Sequence, residues 1–139
     1  MKMTQLPRRS VLPAIVLCTL GLAGCASTPD SSTSREELLQ RAAAYWNAVK
    51  TNDMVAAWAY EEVSKKPGWT LQAYLKRGGI VYEEVQVLGV EEIEGNNAKL
   101  NLKMTYSVPV VRIKGMQVNR QDEWVRIEGQ WYHAYRPSF

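Results

Sequence analysis

The chain has 139 residues, 46% of them hydrophobic, with 17 Lys and Arg against 14 Asp and Glu and a formal charge of +3. That length supports one domain with a single core. One His and two Cys are too thin an inventory for a zinc, copper or iron centre built from clustered ligands, so no metal and no cofactor is expected.

The chain starts with a basic segment, Lys2, Arg8 and Arg9, followed by the 14-residue apolar run Val11–Gly24, in which only Thr19 is clearly polar. As helix this run reaches about 21 Å, short of the roughly 20 residues a bilayer crossing needs. It fits the apolar region of a secretory signal. Leu22-Ala23-Gly24-Cys25 then resembles the lipobox of bacterial lipoprotein precursors. The resemblance implies a signal peptide over residues 1–24, cleavage before Cys25, lipid on its sulfur (palmitate or a similar chain) and an acylated new amino terminus. Several acyl chains make a stable anchor. Ala26, where Asp would retain the protein at the inner membrane, implies the periplasmic side of the outer membrane. Processing would remove three basic residues and leave 14 basic against 14 acidic side chains. The field needed to attract nucleic acid is then absent.

Residues 25–34, "CASTPDSSTS", are the lipidated Cys and a small, polar tether. The domain is expected over residues 35–139. Leu38, Leu39, Ala42, Tyr45, Trp46 and Val49 recur with a 3.6-residue period and predict a helix. Ser34 and Glu37 have the spacing of a capping box at its start. Asp53 is placed to cap a second, shorter helix, "MVAAWAYEEV", and Thr70 a third, "LQAYLKR", stopped by Gly78-Gly79.

From Ile80 the period becomes two. Ala98, Leu100, Leu102, Met104 and Tyr106 alternate with Lys99, Asn101, Lys103 and Thr105, a strand buried on one side. Glu94 to Asn97 turns into it from a strand over about 80–92. Glu128-Gly129 is a tight hairpin signal that pairs Ile127 with Gln130, Val125 with Tyr132 and Trp124 with His133. If Lys114-Gly115 is also a two-residue turn, Met104 faces Val125. Val125, Ile127 and Tyr132 then share the helix-covered face, unless a bulge near Pro109 reverses it.

Helices followed by a four-stranded antiparallel meander make an α+β fold. With "AYWNAVKTNDMVAAWAY" and "DEWVRIEGQWYHAY", this order resembles the nuclear transport factor 2-like superfamily, which includes ketosteroid isomerase and scytalone dehydratase. The resemblance implies a cone with a pocket between helices and a curved sheet, in a superfamily that contains enzymes as well as binding domains.

The expected register sets two groups of candidates. Tyr106, Gln121 and Glu123 fall where the apolar face runs out and are the candidate ligand-pocket residues. Trp124, Arg126, Trp131, His133 and Tyr135 fall on the outer face as an aromatic patch, a candidate homodimer or partner surface. No catalytic residue is assigned. Glu36-Glu37, Glu61-Glu62, Glu83-Glu84 and Glu91-Glu92 are sequence neighbours whose side chains diverge, and His133 is alone. The sequence therefore points to a lipid-anchored, non-catalytic binding domain or accessory of an envelope assembly. A small-molecule binder using the cone is the alternative, with an isomerase- or dehydratase-like enzyme behind it.

Overall fold

The computed structural model describes residues 31–136. The signal segment, Cys25 and most of the tether lie outside the described residues. Helix α1 runs Ser31–Lys50, so it includes the last four residues assigned to the tether. Ser34 is therefore inside the helix and buried, with its Oγ unbonded, and it does not serve as the cap. The helix is 20 residues long, or about 30 Å. Its buried face carries Leu38, Ala42, Tyr45 and Trp46, as the period predicts. Thr51 and Asn52 end it, with Asn52 at φ 59°.

Helix α2, Met54–Trp58, starts on Asp53, whose carboxylate accepts the Ala56 amide at 3.0 Å. It is half the expected length. After it the chain straightens through Glu61, makes a 3₁₀ turn over Glu62–Lys65, and enters α3, Leu71–Leu75. Thr70 caps α3 through the Ala73 amide at 3.2 Å. Both caps satisfy amides that a helix start leaves without a partner. Among the described residues, no helix is long and apolar enough to cross a membrane.

The sheet is a meander of β1 (Val81–Glu94), β2 (Asn97–Val108), β3 (Ile113–Ile127) and β4 (Gln130–His133), in that spatial order. Register shifts at three places in β1 bend the long strands so that the sheet curves around α1. One face carries Ala98, Leu100, Leu102 and Met104, which pack on Leu38, Ala42, Tyr45 and Trp46. The alternation in β2 is as expected.

The β3–β4 hairpin has the expected register: Trp124 opposite His133, Val125 opposite Tyr132, Ile127 opposite Gln130. The β2–β3 hairpin does not. Lys114-Gly115 is not the turn. Pro109–Val111 forms a 3₁₀ turn closed by Arg112 at φ 59°, and pairing resumes at Val108 opposite Ile113. Gly115, at φ 60°, sits in an irregularity, with its amide donating to Ser107 Oγ at 3.0 Å. Met104 therefore faces Val118 rather than Val125. The displacement is an odd number of residues, so it exchanges the two faces of β3. Val118, Arg120, Asp122 and Trp124 take the helix-covered side. Trp124 is 1% exposed and Trp131 0%. The outward aromatic patch built on them is corrected to part of the core.

Candidate functional site

Three ionisable side chains meet beneath α1. His133 is brought in by the end of β4, whose amide donates to the Tyr60 carbonyl at 2.7 Å. The extended Tyr60–Glu61 segment lies alongside it, in a bridge between Glu61 and His133. His133 Nδ1 lies 3.1 Å from Glu61 Oε2 and Nε2 3.0 Å from Asp122 Oδ1. Each carboxylate is further satisfied. Glu61 Oε1 accepts the hydroxyls of Tyr45 at 2.7 Å and Tyr74 at 3.0 Å. Asp122 Oδ2 accepts the indole N–H of Trp46 at 2.9 Å and of Trp124 at 2.7 Å. Tyr45 stacks on the imidazole, with centroids 4.4 Å apart and planes inclined 21°.

Two ring nitrogens facing two carboxylate oxygens require two N–H donors, so His133 is an imidazolium. Burial alone would lower its pKa. The hydrogen bonds to Asp122 and Glu61, and their charges, overcome this and push it up to about 9. Burial likewise works to raise the pKa of Glu61, but the hydrogen bond and charge of His133, with the two tyrosine hydroxyls, hold it below its usual value of 4.5. Burial and the adjacent Glu61 charge push the Tyr45 hydroxyl well above 10.0. His133 and Glu61 are thus held in their charged forms at neutral pH. With both N–H bonds engaged, the ring has no free nitrogen to act as a base. Among the described residues, no group of three His, Cys, Asp or Glu is arranged to hold a metal ion.

This cluster floors a cavity of about 310 Å³. Trp46, Val49, Ile80 and Tyr82 supply its apolar wall, and Arg77, Arg120 and Arg136 stand around it. Its volume is at the small end of the roughly 300–1,000 Å³ typical of ligand pockets. β4 pairs only with residues 124–127 of β3. The Ala134 amide donates to the Glu123 carbonyl at 2.8 Å; beyond Glu123 no strand pairs with β3 on this edge, and Arg120 borders the cavity there.

A crystal structure of a candidate dehydratase of the NTF2-like family from Streptomyces avermitilis superposes with a TM-score of 0.51 over 76% of this chain and 94% of that one, at 15% sequence identity. The fold is NTF2-like. A SEC-C motif protein from Rhodopseudomonas palustris aligns at a TM-score of 0.43 over 70% of this chain and 72% of that one, at 18% identity. No protein-family model matches the chain, and no curated protein sequence is significantly similar to it.

Within the NTF2-like cone the expected site residues are dispersed. Gln121 and Glu123 border the cavity, but Gln121 donates to Glu91 at 2.8 Å and Glu123 is paired with Arg136. Tyr106 is not opposite Glu123. It faces Met116, to whose sulfur its hydroxyl donates at 3.1 Å. Of the expected outer patch, Arg126 lies 5.0 Å over the Trp131 ring and 3.6 Å from Glu37 of α1, on the inner side. Tyr135 packs edge-on against Trp69 at 4.9 Å. The outer face of β2 and β3 instead presents Asn101, Lys103, Gln117, Asn119 and Gln121, all exposed.

Glu61 and Asp122 are the functional residues that sequence reasoning missed. Adjacency of Glu61 to Glu62 hid its role, because only one of the two is buried. Asp122 carries one legible signal. It precedes Trp124 by two residues in a strand, so the two share a face.

Proposed function

We propose that this is a small-molecule-binding NTF2-like protein, exported and held to the membrane by lipid on Cys25, and acting by binding rather than by catalysis. The observation that carries the binding reading is the open cavity of about 310 Å³ over a fully hydrogen-bonded polar floor. The partner-surface reading depended on Trp124 and Trp131 facing solvent, and both are buried. A floor whose polar groups already satisfy one another is rigid, and it shapes a pocket without reorganising when a ligand arrives. The anchor and the periplasmic location rest on Leu22-Ala23-Gly24-Cys25 behind a basic, apolar segment.

The test is mass spectrometry of small molecules released from the purified protein, beside a variant in which Val49→Trp fills the cavity. A bound compound carried by the parent and missing from the folded variant supports the reading. Identical profiles from both count against it. For the anchor, Cys25→Ser should shift the protein from the membrane to the soluble fraction, and an unmodified Cys25 thiol in the mature protein would overturn that part.

A second reading is favoured by the imidazolium between two acids at the floor. The structural neighbour's description as a candidate dehydratase points the same way. Proton transfer there would require His133 to leave Glu61 or Asp122 when substrate enters. A pH–rate profile abolished by His133→Gln in a dehydration assay would support it.

A further inference from the structure

The proposed pocket carries an uneven charge. Among its lining residues, Arg77, Arg120, Arg136 and the protonated His133 face Glu61, Asp122 and Glu123, four cationic groups against three carboxylates. The carboxylates are all committed. Glu61 and Asp122 each accept three hydrogen bonds from within the floor, and Glu123 is paired with Arg136. Two of the cations are not committed. Arg77 lies 4.3 Å over the Tyr135 ring and 5.4 Å over the Tyr74 ring, which leaves its N–H edge without an acceptor among the described residues. The Arg120 side chain has no hydrogen bond or ion pair among the described residues, and it stands on the stretch of β3 that β4 does not pair with. Arg77 is half-buried and Arg120 exposed, and both line the cavity; a guanidinium there without a protein acceptor is free to recognise a ligand, because its fork of donors matches a carboxylate.

We infer that Arg77 and Arg120 form the anion-recognising rim of the pocket, and that its ligand is a small organic monocarboxylate with a flat apolar body. A cationic ligand would find no free carboxylate. A dianion would bring more negative charge than the single excess positive charge balances, directly above Glu61 and Asp122. The flat body follows from the wall, where Trp46 and Tyr82 stand edge to face at 5.5 Å beside Val49 and Ile80, a surface that rewards planar apolar groups.

This inference rests on the pocket reading, and the test separates the two. Cinnamate, its uncharged isostere cinnamamide, and phenyl phosphate are titrated by calorimetry into the purified protein and into Arg77→Gln and Arg120→Gln variants whose melting temperatures are measured alongside. The expected result is binding of cinnamate, with cinnamamide and phenyl phosphate weaker by about tenfold or more. Arg120→Gln, which removes no side-chain hydrogen bond or ion pair among the described residues, should weaken cinnamate about tenfold while leaving cinnamamide and the melting temperature unchanged. Equal binding of acid and amide, or an unaltered affinity in both folded variants, overturns the anion rim and leaves the pocket standing. Tighter binding of phenyl phosphate overturns the choice of a monocarboxylate. Failure of all three probes to bind overturns the monocarboxylate inference, while the pocket reading is decided by the small molecules released from the parent and from Val49→Trp.

Discussion

The two hairpins that share β3 are built differently. The β3–β4 turn is two residues, Glu128 at φ 50° and Gly129 at φ 82°. Its twist matches that of the strands it joins, so its own residues determine which side chains pair. The β2–β3 connection is a four-residue loop, Pro109 to Arg112, followed by the Gly115 irregularity. Nothing local makes that loop's length the only one possible. Its register is decided by which face of β3 can be buried under α1. The first hairpin sets His133 opposite Trp124. The second decides that both point inward, toward Glu61 and Tyr45. A site can thus be assembled by a local rule and placed by a global one.

Four measurements break or sharpen this comparison. The largest effect is expected at Trp124. Trp124→Ala empties a fully buried site and removes a donor to Asp122, and should lose about 3–5 kcal/mol of unfolding free energy. Val125→Ala, on the other face, should lose about 1 kcal/mol. Chemical denaturation of both variants reads the β2–β3 register directly, and the reverse order of losses would mean the register is wrong.

His133 gives the next largest effect. Its pKa is about 9 when folded and 6.5 as an ordinary value, so the folded state binds the proton more tightly. The resulting stabilisation is complete below pH 6.5 and is lost as pH rises through 9, by roughly 3 kcal/mol in all. The Glu61 contribution has the opposite sense. It is present above pH 4.5, and acid removes it as pH falls below that value. Melting curves between pH 6 and pH 10 should show the alkaline loss in the parent and not in His133→Gln. A parent that is flat across this range would place the imidazole outside the acid pair.

Smaller effects test the turn and the outer face. Gly129→Ala forces an L side chain to φ 82° and should cost about 1 kcal/mol without changing the pocket. Lys103→Asp, on the exposed face opposite Gln86 and Asn119, should shift stability by no more than about 0.5 kcal/mol. A larger loss would show that the outer face is covered in solution.

Much of the fold was legible from local pattern. The α1 face, the Asp53 and Thr70 caps, the one-sided β2 strand and the Glu128-Gly129 hairpin all depend on residues within a few positions of one another, and all are present. The α+β meander followed from them. The capping box at Ser34 failed because a matching pair of residues does not prevent the helix from starting earlier.

The candidate site was far less legible, because its members come from α1, the segment after α2, β3 and the end of β4. Period two says that Asp122, Trp124 and Arg126 share a face, but it does not say which face. Only the irregularity in which Ser107 opposes both Lys114 and Gly115 turned that face inward. Only packing brought Glu61 to a histidine 72 residues away. The sequence by itself determined the elements, their caps and one register, because those depend on short-range sterics and hydrogen bonds. The tertiary structure alone decided the acid–imidazolium–acid floor and the unpaired Arg77 and Arg120 above it. A buried charge is tolerated only where distant partners converge on it.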